Sequence, residues 1–150
     1  MDLAVLVLLA SRLMTEEVHA HLAEAGFGDL RPAHGFAFQL IASTGGATGV
    51  ELAEHLGVSR QAAGQMVDEL VGLGYVAREP DAHDARLRRI VLTAHGREAI
   101  GTATARWTAQ EQEWEELIGA SAIASLQHGL RAFVTARGGL EPPMRLRPTW

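Results

Sequence analysis

Hydrophobic positions recur at helical spacing over most of this chain, and clusters of Gly, Pro and small polar residues break the rhythm into six helical segments. Residues 2 to about 25 read as one long helix closed by Gly26 and Gly28. Its first half is apolar almost all round, a pattern that calls for burial on several sides and, at a chain end, for cover by another subunit. Pro32 suits the first turn of a second helix running to about Ser43, and residues 43–49 form a loop. Thr48 begins a third helix, with Glu51 completing a capping box and Gly57 ending it in a turn. Ser59 caps a fourth helix that runs to about Leu73 and stops at Gly74. Residues 75–79 and 87–92 are short strand candidates joined by the polar loop 80–86. Thr93 caps a fifth helix to about Leu117, and Ser121 caps a sixth that ends near Gly138 and Gly139. Pro142 and Pro143 open a tail, residues 141–150, that cannot be helical. No internal repeat is visible.

Helix, turn, helix and β-ribbon in that order over residues 50–93 make a winged helix-turn-helix, a unit that carries side chains into DNA grooves. On the fourth helix Ala63, Met66, Val67 and Leu70 define a stripe to be buried, leaving Arg60, Gln61, Gly64, Gln65 and Asp68 on the opposite face. Arg and Gln carry forked donors and acceptors that match guanine and adenine edges in the major groove. The free N–H groups of the first turn and the Ser59 hydroxyl suit a phosphate. One amphipathic helix alone would fit a face that merely meets water. The preceding Leu52-Ala53-x-x-Leu56-Gly57-Val58-Ser59 points to a paired, crossing helix instead. In the loop that follows, Arg86 is placed to enter a minor groove, with Asp84 expected to hold its guanidinium in a bidentate pair. Arg88 and Arg89 lie on opposite faces of the strand, so one of them, with Arg88 the candidate, reaches the same backbone. Ile90 and Leu92 share a face and should pack under the wing.

The net charge of −5 runs against nucleic-acid binding until its distribution is considered. Residues 85–97 hold Arg86, Arg88, Arg89 and Arg97 and no acid, whereas Glu111, Glu113, Glu115 and Glu116 cluster further on. Contact with phosphates must therefore be local. The length of 150 residues fits one domain with a real core, and 47% hydrophobic content argues against general disorder. The absence of Cys removes disulfides, Cys-ligated zinc and thiol-based control. The apolar run of residues 3–10 is too short to span a bilayer and lacks a cleavage site, so a cytoplasmic protein is expected, with no membrane partner. His19 and His21 point in different directions and no His pair sits four apart, so no metal or cofactor is expected. Trp107 and Trp114 share a face of the fifth helix, suited to core packing, a dimer contact or a ligand pocket. No phosphate loop or catalytic serine motif is present, and no enzyme activity is expected.

Thr48-x-x-Glu-Leu-Ala, Leu56-Gly-Val-Ser-Arg-Gln-Ala62, Val67-Asp-x-Leu70, Gly74-Tyr-Val76, Asp84-Ala-Arg86 and Leu92-Thr-x-x-Gly-Arg97 resemble the MarR family of bacterial transcription regulators, over about residues 32–100. The resemblance implies a mainly α fold with a small two- or three-stranded β-wing. It implies a DNA-binding part at residues 32–98, with residues 1–31 and 99–140 as dimerisation helices of a homodimer. It implies that Ser59, Arg60, Gln61 and Gln65 read the major groove of a pseudo-palindromic operator while Asp84 and Arg86 serve the wing. It also implies a pocket for a small-molecule effector, with His34 and Trp107 as candidate lining residues, and a repressor released by that effector. One departure stands out: Gly64 falls where the family often has a polar DNA-contacting residue, so base readout should be thinner than usual. Two other roles stay open at this point, a winged-helix module for protein–protein contact and a helical ligand-binding protein or enzyme without a DNA role.

Overall fold

Glycines and short polar residues set several of the helix ends in the computed structural model, which describes residues 2–140. Helices α1 (Leu3–Glu24), α2 (Pro32–Thr44), α3 (Gly49–Leu56) and α4 (Arg60–Gly72) precede strands β1 (Val76–Pro80) and β2 (Arg88–Leu92), and α5 (Ala94–Ile118) and α6 (Ala120–Ala136) follow. Described residues up to Leu30 and from Gly101 onward form one compact unit, and Arg31–Ile100 form another. No helix among the described residues is long and apolar enough to cross a membrane. The tail at 141–150 lies outside the described residues.

In the Arg31–Ile100 unit, α3 starts with the expected capping box: Thr48 Oγ1 accepts from the Glu51 N–H at 3.3 Å, and Glu51 Oε2 accepts from the Thr48 N–H at 2.7 Å. Gly57 then takes a left-handed conformation (φ 65°), open to glycine at no steric cost, and turns the chain into α4. Ser59 Oγ accepts from the Ala62 N–H at 3.1 Å and starts α4. Leu52, Ala53 and Leu56 of α3 and Ala63, Val67 and Leu70 of α4 are all buried, joined by Ala37, Phe38 and Ile41 of α2. Each large aliphatic side chain among them contributes roughly 1.5–3 kcal/mol by leaving water. Strands β1 and β2 pair antiparallel from Val76↔Leu92 to Pro80↔Arg88, and Ala47 adds a single bridge to Ile90, the beginning of a third strand. Ile90 is buried and Leu92 half-buried beneath this ribbon.

The base of the ribbon is closed by backbone. Tyr75 is fully buried, edge-on to Phe38 (ring centroids 6.0 Å apart) and stacked on His95 (4.6 Å). Its carbonyl accepts from the Thr93 N–H at 3.0 Å, and the Thr93 hydroxyl donates to the Gly74 carbonyl at 2.6 Å. The same hydroxyl oxygen accepts from the Gly96 N–H at 3.0 Å and so caps α5. A Cβ on Gly96 would overlap the Tyr75 carbonyl oxygen, which explains the glycine in Leu92-Thr-x-x-Gly.

In the other unit Val18, Leu22, Phe27, Leu30 and Ile123 are buried. Gln110 of α5 is also buried and donates to the Met14 carbonyl at 3.1 Å and to Glu17 at 2.7 Å. Arg106 bridges Glu17 and Glu113 at 2.8 and 2.7 Å, and its hydrogen bond holds the Glu113 carboxyl below the ordinary carboxylate range. Burial pushes the His19 imidazole below its ordinary value, against a smaller opposing effect of its hydrogen bond to the Leu30 backbone.

Two expectations need correction. Ser121 does not cap α6, because Gly119 (φ 89°) occupies the N-cap with no side-chain bond and the helix already begins at Ala120. The apolar half of α1 is not buried within the chain: Leu3 is 71% exposed, Leu8 61%, and of the whole helix only Val18 and Leu22 are buried.

Gly96→Ala should destabilise the protein by about 1–3 kcal/mol, the usual cost of forcing a methyl into close-packed structure. Urea unfolding followed by circular dichroism checks this, and an unchanged midpoint would remove the close approach at Tyr75 as the reason for glycine.

Candidate nucleic-acid interface

Burial of one side of α4 leaves the other to solvent. Ser59, Arg60, Gln61 and Gln65 are exposed, while Ala63, Val67 and Leu70 are buried and Met66 is half-buried. The two carboxylates of the helix are both matched. Arg78 of β1 pairs with Asp68, and Arg31, the N-cap of α2, pairs with Glu69. His34 sits fully buried behind the second pair. Its Nδ1 accepts from the Arg31 N–H at 3.1 Å, and its Nε2 lies 3.2 Å from Arg31 Nη2 and 3.4 Å from Glu69 Oε2. Neutralising Asp68 and Glu69 matters because an unmatched carboxylate on this helix would repel phosphate. Among the described residues, no carboxylate pairs with the guanidinium of Arg60, Arg86 or Arg88.

The loop between the strands is built by two aspartates working on backbone. Asp81 Oδ1 accepts from the N–H groups of His83 (2.8 Å) and Asp84 (3.1 Å), and Oδ2 faces Arg89 Nη1 at 3.4 Å. Those backbone donors, first His83 and then Asp84, hold the Asp81 carboxyl below the ordinary carboxylate range. Its contribution to loop order is therefore in place above that range and fades as pH falls through the depressed value. Asp84 Oδ1 accepts from the Arg86 N–H at 2.9 Å, and the Asp84 carbonyl from the Leu87 N–H at 2.9 Å.

This overturns the expected Asp84–Arg86 ion pair. An aspartate reaches the N–H two residues on by local geometry alone, without immobilising a long guanidinium side chain. The Arg86 side chain is left exposed. The two strand arginines do separate by face: Arg88 is exposed, whereas the Arg89 guanidinium is half-buried and donates to the Gly46 carbonyl in the loop between α2 and α3.

The roles of Asp81, Arg89, Arg78 and Arg31 escape a reading of sequence spacing, since their partners lie 8 to 43 residues away. Only Asp81 carried a local signal, an Asx-type turn onto His83. Of the two residues expected at a ligand pocket, His34 is fully buried in its network with Arg31 and Glu69, and Trp107 of α5 is 39% exposed. They belong to different compact units.

A Cβ on Gly64 would meet no atom within 4 Å, so packing in this chain does not require glycine there. Gly64→Ala should stabilise the protein by about 1 kcal/mol through helix propensity. That corresponds to a rise of about 2–4 °C in a melting curve for a chain of this size. A fall in melting temperature would show a steric demand at that position.

A MarR family model matches residues 29–87. No curated protein matches the sequence. Among solved structures, the chain is similar to RV1404 from Mycobacterium tuberculosis, with a TM-score of 0.72 and 25% identity over 92% of this chain and 96% of that one. A MarR-like transcriptional regulator from Thermotoga maritima gives a TM-score of 0.72 and 26% identity over 92% of this chain and 98% of that one. A mutant of MepR from S. aureus bound to an oligodeoxyribonucleotide shares the fold at a TM-score of 0.63 and 17% identity, covering 91% and 98% of the two chains. The family match on residues 29–87 and the likeness of fold across most of its length make the chain similar to the MarR family of transcription regulators, whose winged-helix fold it shares.

Proposed function

We propose that the protein is a homodimeric repressor that binds a pseudo-palindromic operator in double-stranded DNA and is released by a small-molecule effector. The observation that carries this reading is the exposed Ser59, Arg60, Gln61 and Gln65 face of α4 in the same compact unit as exposed Arg86 and Arg88, whose guanidinium groups have no carboxylate partner among the described residues. The forked side chains of Arg60, Gln61 and Gln65 suit base edges in the major groove. Arg86 suits the minor groove, and Arg88 a phosphate. The oligonucleotide bound to the MepR mutant supports the same class of partner here.

A second copy of the chain would account for the operator symmetry. Leu3, Leu6 and Leu8 of α1 and Phe133 of α6 are exposed apolar side chains in one compact unit, and a partner subunit would take them out of water. Two copies would set their recognition helices about one DNA turn, roughly 34 Å, apart. For the effector, the half-exposed indole of Trp107 offers an apolar surface and an intrinsic fluorescent reporter.

Selection of bound fragments from the source genome should return one recurrent duplex occupied by two chains, released by some members of a panel of candidate ligands. On that duplex Arg86→Ala should weaken binding and reduce the slope of log affinity against log salt by about one. Gln61→Ala should change the preferred bases, with a cost of about 1–3 kcal/mol at the affected position. No enriched fragment at low salt would overturn the reading.

A further inference from the structure

Resting on the DNA-reading role proposed above, we infer that Arg89 is a positioning residue, which sets the wing against the helix-turn-helix without touching DNA itself. Its guanidinium has two partners on separate elements: the Gly46 carbonyl, in the loop that leads from α2 into α3, and the carboxylate of Asp81 at the end of β1. Asp81 is itself the organiser of the wing loop through His83 and Asp84, and Asp84 holds the backbone N–H of Arg86. One continuous series of hydrogen bonds thus runs from the helix-turn-helix, through Arg89, to the residue that would enter the minor groove.

The surroundings of Arg89 are tight. Gly46 has φ 133°, and a Cβ there would stand 3.1 Å from Val91 Cγ1 and 3.3 Å from both Arg89 Nε and the Ile90 carbonyl oxygen. The neighbouring Ala47–Ile90 bridge, with bonds of 3.0 and 2.7 Å, fixes the backbone on which Arg89 sits. The Arg89 side chain is 30% exposed and that of Asp81 only 12%, so the pair is partly shielded from solvent and salt. A wing held this way loses less conformational freedom on binding than one free to swing about its base.

The test uses the full chain and the duplex enriched by genomic selection, with affinity measured across a salt series for Arg89→Gln, Arg86→Ala and the double variant. A positioning role predicts that Arg89→Gln weakens binding about five- to tenfold, a typical gain from preorganisation. It also predicts a salt slope equal to wild type and little further loss when Arg86 is already alanine. Asp81→Asn should give the same pattern and carries the test if Arg89→Gln fails to fold, which melting curves of each variant report. A slope lower by about one would make Arg89 a phosphate contact and overturn the inference. So would an equal loss in both backgrounds, the mark of a general effect on folding, or wild-type affinity in Arg89→Gln. Should Arg86→Ala bind as wild type while Gln61→Ala does not, Arg86 has no DNA role for Arg89 to position, and the inference falls with it.

Discussion

The structure depends on α4 burying one face and only one. Ala63 and Leu70 have no exposed surface and Val67 almost none, because α3 and β1 pack against the helix. No other element of the Arg31–Ile100 unit covers the remaining side, so Ser59, Arg60, Gln61 and Gln65 have to face outward. Removing a buried leucine from such a stripe typically costs 2–5 kcal/mol, several times the worth of any surface pair in this chain. Packing therefore decides the presentation of the polar face, and the ion pairs refine it.

That refinement is mainly electrostatic. The chain carries a net charge of −5, and α4 itself contains Asp68 and Glu69. Arg78 and Arg31 match these two carboxylates from β1 and from the α2 N-cap, so the helix presents its arginine and glutamines without opposing charge. The wing follows the same logic by different means. Asp81 and Asp84 bind backbone N–H groups, which leaves the guanidinium groups of Arg86 and Arg88 without a carboxylate partner among the described residues. An acidic protein thereby keeps a local basic surface suited to a polyanion.

Helix order, the capping residues Thr48, Ser59 and Thr93, the turn at Gly57 and the buried stripe of α4 were all legible in the sequence, because each is written within a window of a few residues. The exposed polar face of α4 followed from the same periodicity. What stayed hidden depends on chain segments far apart in sequence: Arg89 on Gly46, Arg31 and His34 on Glu69, and the Tyr75 carbonyl beneath Gly96. The Asp84–Arg86 expectation failed for the opposite reason, since a local Asx turn competes with the ion pair and wins over so short a separation. Apolar α1 was legible as a pattern, but the sequence expectation of burial is not met by this chain's own side chains.

The central claim, that α4 and the wing read opposite grooves of one duplex, is tested most directly by methylation interference on a selected operator fragment. Methyl groups on guanine N7 block the major groove and those on adenine N3 block the minor groove. The account predicts interference at guanine N7 within each half-site, where Arg60 and Gln61 reach, and at adenine N3 on the flanks, where Arg86 reaches. Interference confined to one groove, or none in either, would contradict it.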